Sequence, residues 1–459
     1  MPLPASFIRA MQLHLSQEEL SSFLHSLEEE PEVSVRYNPF KPIRHLSSEQ
    51  ARVKWSSAGY YLSTRPPFTF DPHFHAGGYY VQEASSMFLE QALRQIPNPS
   101  IVLDLCAAPG GKSTLLRSLL PEGSFLVSNE PVRKRAQILA ENIIKWGHEA
   151  CMVTCNYPDA LGRMGALFDL IVADVPCSGE GMFRKDNPAI DQWGPDLVAT
   201  CACRQRDILT QIWPALRQGG YLVYSTCTYN TEENEDNVHF IATQLGAEVV
   251  PVPCQPSWRV IGNLAGRSSE PVYRFFPHRV RGEGFFMALL RKTSPATPFH
   301  VKNKVAGTRC QLLPQPYSQW LSANPSLSLM SVCGPWEHVA FQRDHLPLVD
   351  YLSQRLNVMH AGIPLFVEKG RRQIPCHALA MSRLLHQGAV PRFSLSYDQA
   401  ISYLSGLTLS LPDAPTGIIL LDWEGHPLGF ANNLGNRANN LYPPEWRIRS
   451  THRPIDPVF

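Results

Sequence analysis

No apolar stretch in the 459 residues approaches the ~18 needed to cross a bilayer, so no transmembrane helix is expected. Charge of one sign does not dominate either: 41 Lys and Arg face 40 Asp and Glu, and a net charge of +1 points by itself to no class of partner. The opening "MPLPASFIRAMQLHLSQEEL" has acids within its first twenty residues and lacks a small-residue cleavage site, so a secretory signal is not expected. Eleven cysteines, an odd number at irregular spacings, do not make a disulfide framework; reduced thiols in the cytoplasm are expected. Metal-ligand spacing is also wanting. Cys201 with Cys203, and Cys151 with Cys155, have no second pair of ligands at zinc-site separation, so no metal is expected.

What is present is ordinary globular material, 44% hydrophobic and 18% charged, in a chain long enough for two to four domains. Residues 301–459 hold 14 Lys and Arg against 10 Asp and Glu, a mild excess that permits a nucleic-acid-binding tail. Residues 1 to about 75 mix helical and strand-like pieces. From about 100 to 245 short apolar strands alternate with helices: "IVLDL" then "STLLRSLL", "SFLVSN" then a helix stopping at Gly147, then "EACMVTC" and "DLIVADV". A helix around "RQRDILTQIWPAL" precedes "YLVYST", and "NTEENEDNVHFIATQLG" reads as a helix with acids in its first turn. Such alternation predicts a parallel sheet covered on both faces, a doubly wound α/β domain whose ligands lie beyond the carboxyl ends of the strands. "VRGEGFFMALLRK" closes it with a late strand, residues 293 to about 320 read as a linker, and the last ~70 residues alternate like a small β-rich module.

Cys106, Cys177 and Cys227 each follow one of these strands, so they are expected to converge on one cleft. "LDLCAAPGGKSTLL" follows the first strand and opens a helix, with Gly110 and Gly111 letting the backbone turn beside helix amides. A phosphate-binding P-loop needs glycine six residues before its lysine, and Cys106 stands there instead. G-x-G-x-x-G is absent too. The loop therefore suits a nucleoside with little phosphate. Glu130, nineteen residues after Gly111 at the second strand's end, is placed to accept ribose hydroxyls. Together these favour S-adenosylmethionine; a plain helix cap near an incidental glutamate is the alternative.

A methyl donor with two thiols suits cytosine. Its carbon 5 is a poor nucleophile until a thiolate adds to carbon 6 and makes the ring enamine-like. A second thiol could assist the later elimination, and Asp174 could hydrogen-bond the base's amine and ring nitrogen. Spacing alone does not say which of Cys177 and Cys227 attacks.

"LDLCAAPGGKS", "DVPCSGEGMFRKD", "YSTCTYNTEENE" and "PHRVRGEGFF" resemble the Sun/Nop family of S-adenosylmethionine-dependent RNA cytosine-5 methyltransferases over about 80–290. The whole chain, with "YYVQEASSM" and the C-terminal "LGFANNLGNRANNLYPPEWRIR", resembles the bacterial branch acting on small-subunit (16S) ribosomal RNA. The resemblance implies Cys227 as nucleophile, Cys177 as the thiol aiding release, Asp174 at the junction of cofactor and base, and Lys112 as a cation favouring thiolate. It carries over Cys106, Ala107, Ala108, Pro109, Gly110, Gly111, Lys112 and Glu130 as the cofactor site, with Arg135 a further candidate. Cys106 reads as packing beside the cofactor. The family's usual acid after the third strand is replaced by Tyr157, and Asn156 beside it is the residue expected to meet the adenine edge.

The implied fold class is α/β: a Rossmann-like doubly wound methyltransferase core (76–293), a small N-terminal α+β RNA-binding unit (1–75), a linker and intermediate C-terminal domain (294–385) and a β-rich PUA-like RNA-binding module (386–459). The expected partner is 16S ribosomal RNA or the small ribosomal subunit, reached by a monomer with no membrane. Arg437, Arg447, Arg449 and Arg453 with Tyr442 and Trp446 suit backbone contact and stacking; Arg184 and Lys185 could reach phosphate. The rival readings are a tRNA cytosine-5 methyltransferase and a catalytically idle RNA-binding ribosome assembly factor.

Overall fold

The computed structural model describes residues 3–43, 51–266, 269–297, 299, 301, 310–312, 319–322, 327–330, 338–369, 372–386, 388–451 and 454. The chain opens with helices α1 (Ala5–Gln12) and α2 (Gln17–Ser26); α2 starts on a reciprocal cap between Ser16 and Glu19. Strands β1 (Val33–Tyr37), β2 (Gly59–Leu62) and β3 (Tyr79–Val81) form an antiparallel sheet in the order β2-β1-β3.

Next come β4 (Ile101–Asp104), helix α3 (Gly111–Leu119), β5 (Phe125–Asn129), helix α4 (Arg133–Trp146), β6 (Cys151–Thr154) and β7 (Phe168–Asp174). Helix α5 (Pro195–Ile212) leads into β8 (Leu216–Thr226), β9 (Ala247–Val250), β10 (Tyr273–Phe275) and β11 (Phe285–Lys292). β4 to β8 pair in parallel in the order β8-β7-β4-β5-β6, and β11 adds antiparallel to β8. The strand order reverses beside β4, whose neighbours are β7 and β5. Strand ends of a doubly wound sheet leave a crevice at such a point. Both faces are covered, which is why Val102, Leu103, Leu126, Val127, Ile171 and Val172 are all buried and the strands read as continuous apolar runs.

After β11 the chain gives β12 (Cys310–Leu312), β13 (Leu327–Met330), β14 (His338–Gln342), β15 (Val358–Ala361), β16 (Ile363–Lys369) and β17 (Arg372–Pro375). All but β15 form a separate five-stranded sheet; β15 instead pairs antiparallel with β6 at the edge of the large one. β12 lies inside the stretch expected to be a linker, of which 302–309 and 313–318 fall outside the described residues. The C-terminal module is the four-stranded sheet β18 (Arg392–Ser394), β19 (Gly417–Trp423), β20 (His426–Asn433) and β21 (Ala438–Asn440), with a helix at Tyr397–Leu404. No helix among the described residues is long and apolar enough to cross a membrane.

Two helices differ from expectation. α5 begins at Pro195, well before "RQRDIL", because proline suits the first helical turn after the extended Gly194. The helix expected from Asn230 begins only at Glu235 and ends in a wider π-type turn, Ile241–Gly246. Asn230, Glu233 and Asn234 spend their side chains on loop backbone and each other, which competes with helix formation. α4 does stop at Gly147, at φ +86°.

The N-terminal unit, the end of α4 and the C-terminal module meet at a cluster of neutral histidines. His75 Nδ1 lies 3.1 Å from the Tyr442 hydroxyl, and His377 packs edge-on to Tyr442 and Trp446. Burial, with Lys145 nearby, pulls both imidazoles down to about 3. Since these folded values lie below the ordinary ~6.5, the unfolded chain binds more protons, so stability is whole above 6.5 and lost as pH falls towards 3. Each histidine is expected to remove about 2 kcal/mol by pH 5. Thermal unfolding between pH 7 and 5 checks this: the midpoint should fall, and fall less in His377→Gln; an equal fall in both proteins would contradict it.

Candidate functional site

β4 ends in Asp104, and the chain turns through 105–110 into α3. Gly110, at φ +119°, makes the turn; a Cβ there would stand 3.3 Å from both Asn142 and Leu139 of α4. β7 ends in Asp174, three residues before Cys177, and β8 ends at Thr226, one before Cys227. The convergence expected of the strand ends is observed. A cavity of about 520 Å³ is lined by the loop residues Cys106, Ala107, Ala108, Pro109, Gly111 and Lys112, by Asp174 and by Cys227. Its opposite wall, absent from the expectation, comes from the N-terminal sheet: Ser34, Tyr80 and Gln82.

The thiols of Cys177 and Cys227 are 3.1 Å apart. The contact with Cys227, reinforced by burial, holds the Cys177 thiol well above its ordinary range; either sulfur can be the donor between them. Lys112 Nζ sits 2.7 Å from Asp174 Oδ2 and over the Phe285 ring. Burial alone would lower this ammonium, but Asp174, with Asp104 and Cys227, outweighs it and holds Lys112 above its ordinary value. Asp174 Oδ1 accepts from the Ser225 hydroxyl at 2.7 Å. Burial pushes the Cys106 thiol far up, away from the thiolate a nucleophile needs.

Two glutamates that the sequence reading passed over hold the thiols in place. Glu180, in the Cys177 loop, accepts from the backbone amides of Tyr229 (2.6 Å) and Asn230 (3.0 Å), just past Cys227. Glu233, past Cys227, accepts from the amide of Ser178 at 3.0 Å, just past Cys177. Each loop is pinned by a carboxylate from the other. Trp193 and Asn230 complete Glu180, whose carboxyl burial raises to about 7; Gln205 and Asn230 complete Glu233. The amide of Gly181 also donates to the Cys227 carbonyl at 2.7 Å. Both acids lie inside the quoted motifs "PCSGEG" and "TYNTEEN", which was the available signal.

Other candidates are engaged elsewhere. Glu130 is buried, accepting from the Val132 amide and paired at 3.3 Å with Arg135, which also donates to the Ala108 carbonyl. Neither lines the cavity, but both adjoin the loop. Asn156 exchanges hydrogen bonds with the backbone of Asn357, through Nδ2 to its carbonyl and Oδ1 from its amide. Tyr157 beside it is 72% exposed. Arg184 is no phosphate contact: its side chain is 4% exposed, forked onto Glu283 and donating to the Ser26 and Gly282 carbonyls. Lys185 does line the cavity. In the tail Tyr442 is buried against His75 and is not available to stack on a base; Arg437 and Arg449 are exposed, and Arg453 lies outside the described residues.

Comparison with known proteins places this geometry in a family. Residues 3–84 match the N-terminal domain of 16S rRNA methyltransferase RsmF, 91–291 match 16S rRNA methyltransferase RsmB/F, and 390–448 match the methyltransferase RsmF PUA domain. A ribosomal RNA small subunit methyltransferase F from Shewanella amazonensis is 29% identical over 95% of this chain and 96% of its own. One from Escherichia fergusonii is 30% identical over 86% of this chain and 84% of its own. The chain belongs to the RsmF family of 16S rRNA methyltransferases. The expected fold class holds. A solved structure titled Methyltransferase Homolog Protein from Pyrococcus horikoshii is 25% identical, with a TM-score of 0.51, covering 63% of this chain and 100% of that one. The fold is also that of NSun6 from Pyrococcus horikoshii, solved with SFG: 20% identical, TM-score 0.54, over 63% and 98%.

In this RsmF-family site the reciprocal carboxylates have a measurable consequence. Glu180→Gln puts an amide NH2 against donors, leaving about 1–3 kcal/mol of unmet hydrogen bonding inside the site. Methyl transfer to 16S rRNA should fall on the order of tenfold to a hundredfold while far-ultraviolet circular dichroism stays unchanged. Unaltered turnover by Glu180→Gln and Glu233→Gln would remove these residues from the site's support.

Proposed function

We propose that the chain transfers a methyl group from S-adenosylmethionine to carbon 5 of a cytosine in 16S ribosomal RNA, through a transient bond between Cys227 and carbon 6. The carrying observation is the pair of thiols 3.1 Å apart, of which Cys227 lines one cavity with the Lys112–Asp174 ion pair and the loop residues 106–109 and 111.

The loop residues fit the cofactor. Gly110 and Gly111 keep their backbone close to the cavity, with a Cβ on Gly111 reaching 3.3 Å from Tyr80. Asp104 Oδ1, buried at the strand end, has no hydrogen-bond partner among the described residues and suits an amino group. Residues 106–112, Asp104 and Glu130 are the assigned holders, with Arg135 beside them. Asn156 is assigned to the adenine edge only if it exchanges Asn357 for the base. A relative in fold was solved with SFG, an S-adenosylmethionine analogue, which supports the choice. When bound, S-adenosylmethionine supplies the electrophilic methyl.

The protein's own part follows from its geometry. The target base must leave its stack to enter the cavity. Asp174 accepts from the base's amino group while Lys112, 2.7 Å from that carboxylate, adds positive charge beside Cys227. Cys227 as thiolate adds to carbon 6, and the ring's electron pair moves to carbon 5, which takes the methyl. Cys177 then ionises to solvent and takes the proton from carbon 5; the double bond re-forms and Cys227 departs as thiolate.

Denaturing gels of protein incubated with S-adenosylmethionine and unmodified 16S rRNA test this. Cys177→Ala should accumulate a protein–RNA adduct and Cys227→Ala should form none; the opposite pattern would exchange the two roles. Lys112→Met should slow adduct formation on the order of a hundredfold.

A further inference from the structure

Alongside the catalytic cavity opens a second, of about 400 Å³, that shares Arg65, Tyr80 and Val81 with it. Its volume lies in the ~300–1,000 Å³ range of small-ligand sites. The shared wall is β3 and the segment before it, so a strand leaving the first cavity at Tyr80 enters the second directly. The lining mixes apolar and polar surface: Pro67, the largely buried Phe68 and the half-buried Phe74 supply the apolar part, with the Tyr80 ring between the two cavities. Its polar part comes from Thr69, Arg65 and Asn142. The Arg65 guanidinium is exposed, lies 5.7 Å above the Phe68 ring and has no carboxylate partner among the described residues. Asn142, from α4, donates Nδ2 to the Pro109 carbonyl at 2.8 Å, which fixes the amide and leaves its Oδ1 without a donor among the described residues.

We propose that this second cavity is a binding subsite for the RNA nucleotide next to the target cytosine. The inference rests on the RNA-methylation reading above and adds a source of sequence selectivity to it. The neighbour of a base drawn into the first cavity is joined to it through one phosphodiester, on the strand that passes the shared wall. Aromatic and proline surfaces take any base by stacking, and an unpaired arginine beside them takes the phosphate. Asn142 Oδ1, an acceptor only, selects a neighbour with an exocyclic amino group (adenine, cytosine or guanine) over uracil. Because Asn142 is tethered to Pro109 of the catalytic loop, the same residue reads the neighbour and touches the loop beside the target.

The test begins by locating the modified cytosine through bisulfite sequencing of a 16S transcript treated with the full-length enzyme and S-adenosylmethionine. Transcripts carrying each base at either neighbouring position are then compared by kcat and KM. The unaltered enzyme should prefer an amino-bearing base over uracil about tenfold at one neighbour, and Asn142→Leu should flatten that preference to within about twofold. Arg65→Gln should raise KM for all transcripts and lower the slope of log KM against log salt by about one. A neighbour preference unchanged in Asn142→Leu, with an unchanged salt slope in Arg65→Gln, would overturn the subsite and leave the methylation reading intact. A transcript that the unaltered enzyme never methylates overturns both.

Discussion

Two buried carboxylates facing backbone amides across a gap between loops are the constraint on which the site depends. Neither Cys177 nor Cys227 lies within a strand; each stands on irregular chain just beyond one, where nothing in the sheet ladder fixes it. Glu180 and Glu233 supply what the ladder does not, each reaching from one thiol's loop to the amides that follow the other thiol. Burying an acid is unfavourable unless every oxygen finds donors, and here Trp193, Gln205 and Asn230 provide them. The arrangement extends outward. Buried Arg274 donates to the Tyr229 carbonyl and to Glu235, and Phe7 and Phe23 of the N-terminal helices pack on Phe183 and Tyr229.

The N-terminal unit therefore does more than precede the catalytic core. Arg36 of β1, fully buried, donates to Gln82, to the Thr114 hydroxyl and to the Gly111 carbonyl, joining the small sheet to the first turn of the cofactor-loop helix. Glu83 accepts from the Glu283 amide at 2.8 Å, and the Tyr61 hydroxyl donates to the Arg281 carbonyl. The cavity is thus closed by one unit and floored by the other, and neither makes it alone.

Much of this was legible in the residues because a parallel sheet buried on both faces has to read as short continuous apolar runs. "IVLDL", "SFLVSN" and "DLIVADV" did so, and the polar residues that end them marked the cleft. Contacts between residues distant in sequence were not legible. Asn156 offers an amide suited to adenine, yet it meets the backbone of Asn357. Tyr442 sits in a basic aromatic stretch that suits RNA, yet its ring is spent on His75 and His377. Arg184 next to Lys185 looks like one more phosphate contact until Glu283 claims it. Period and composition report which face of an element is wet; they do not report which partner a polar side chain finds. Of the acids of "NTEENED", Glu235 and Asp236 do stand in the helix's first turn, while Glu233 serves as a loop strut and the helix starts later than expected.

The strand Val358–Ala361 crosses from the later part of the chain to hydrogen-bond with β6 at the margin of the large sheet. Without it, β6 would present a row of unpaired amides and carbonyls flanked by apolar side chains, a template for pairing with another chain. The catalytic fold is consequently discontinuous in sequence: its sheet is finished only after more than sixty intervening residues have been made. On the ribosome, a nascent chain that has emerged only as far as β11 carries an open sheet edge, and the arrival of β15 is what seals it.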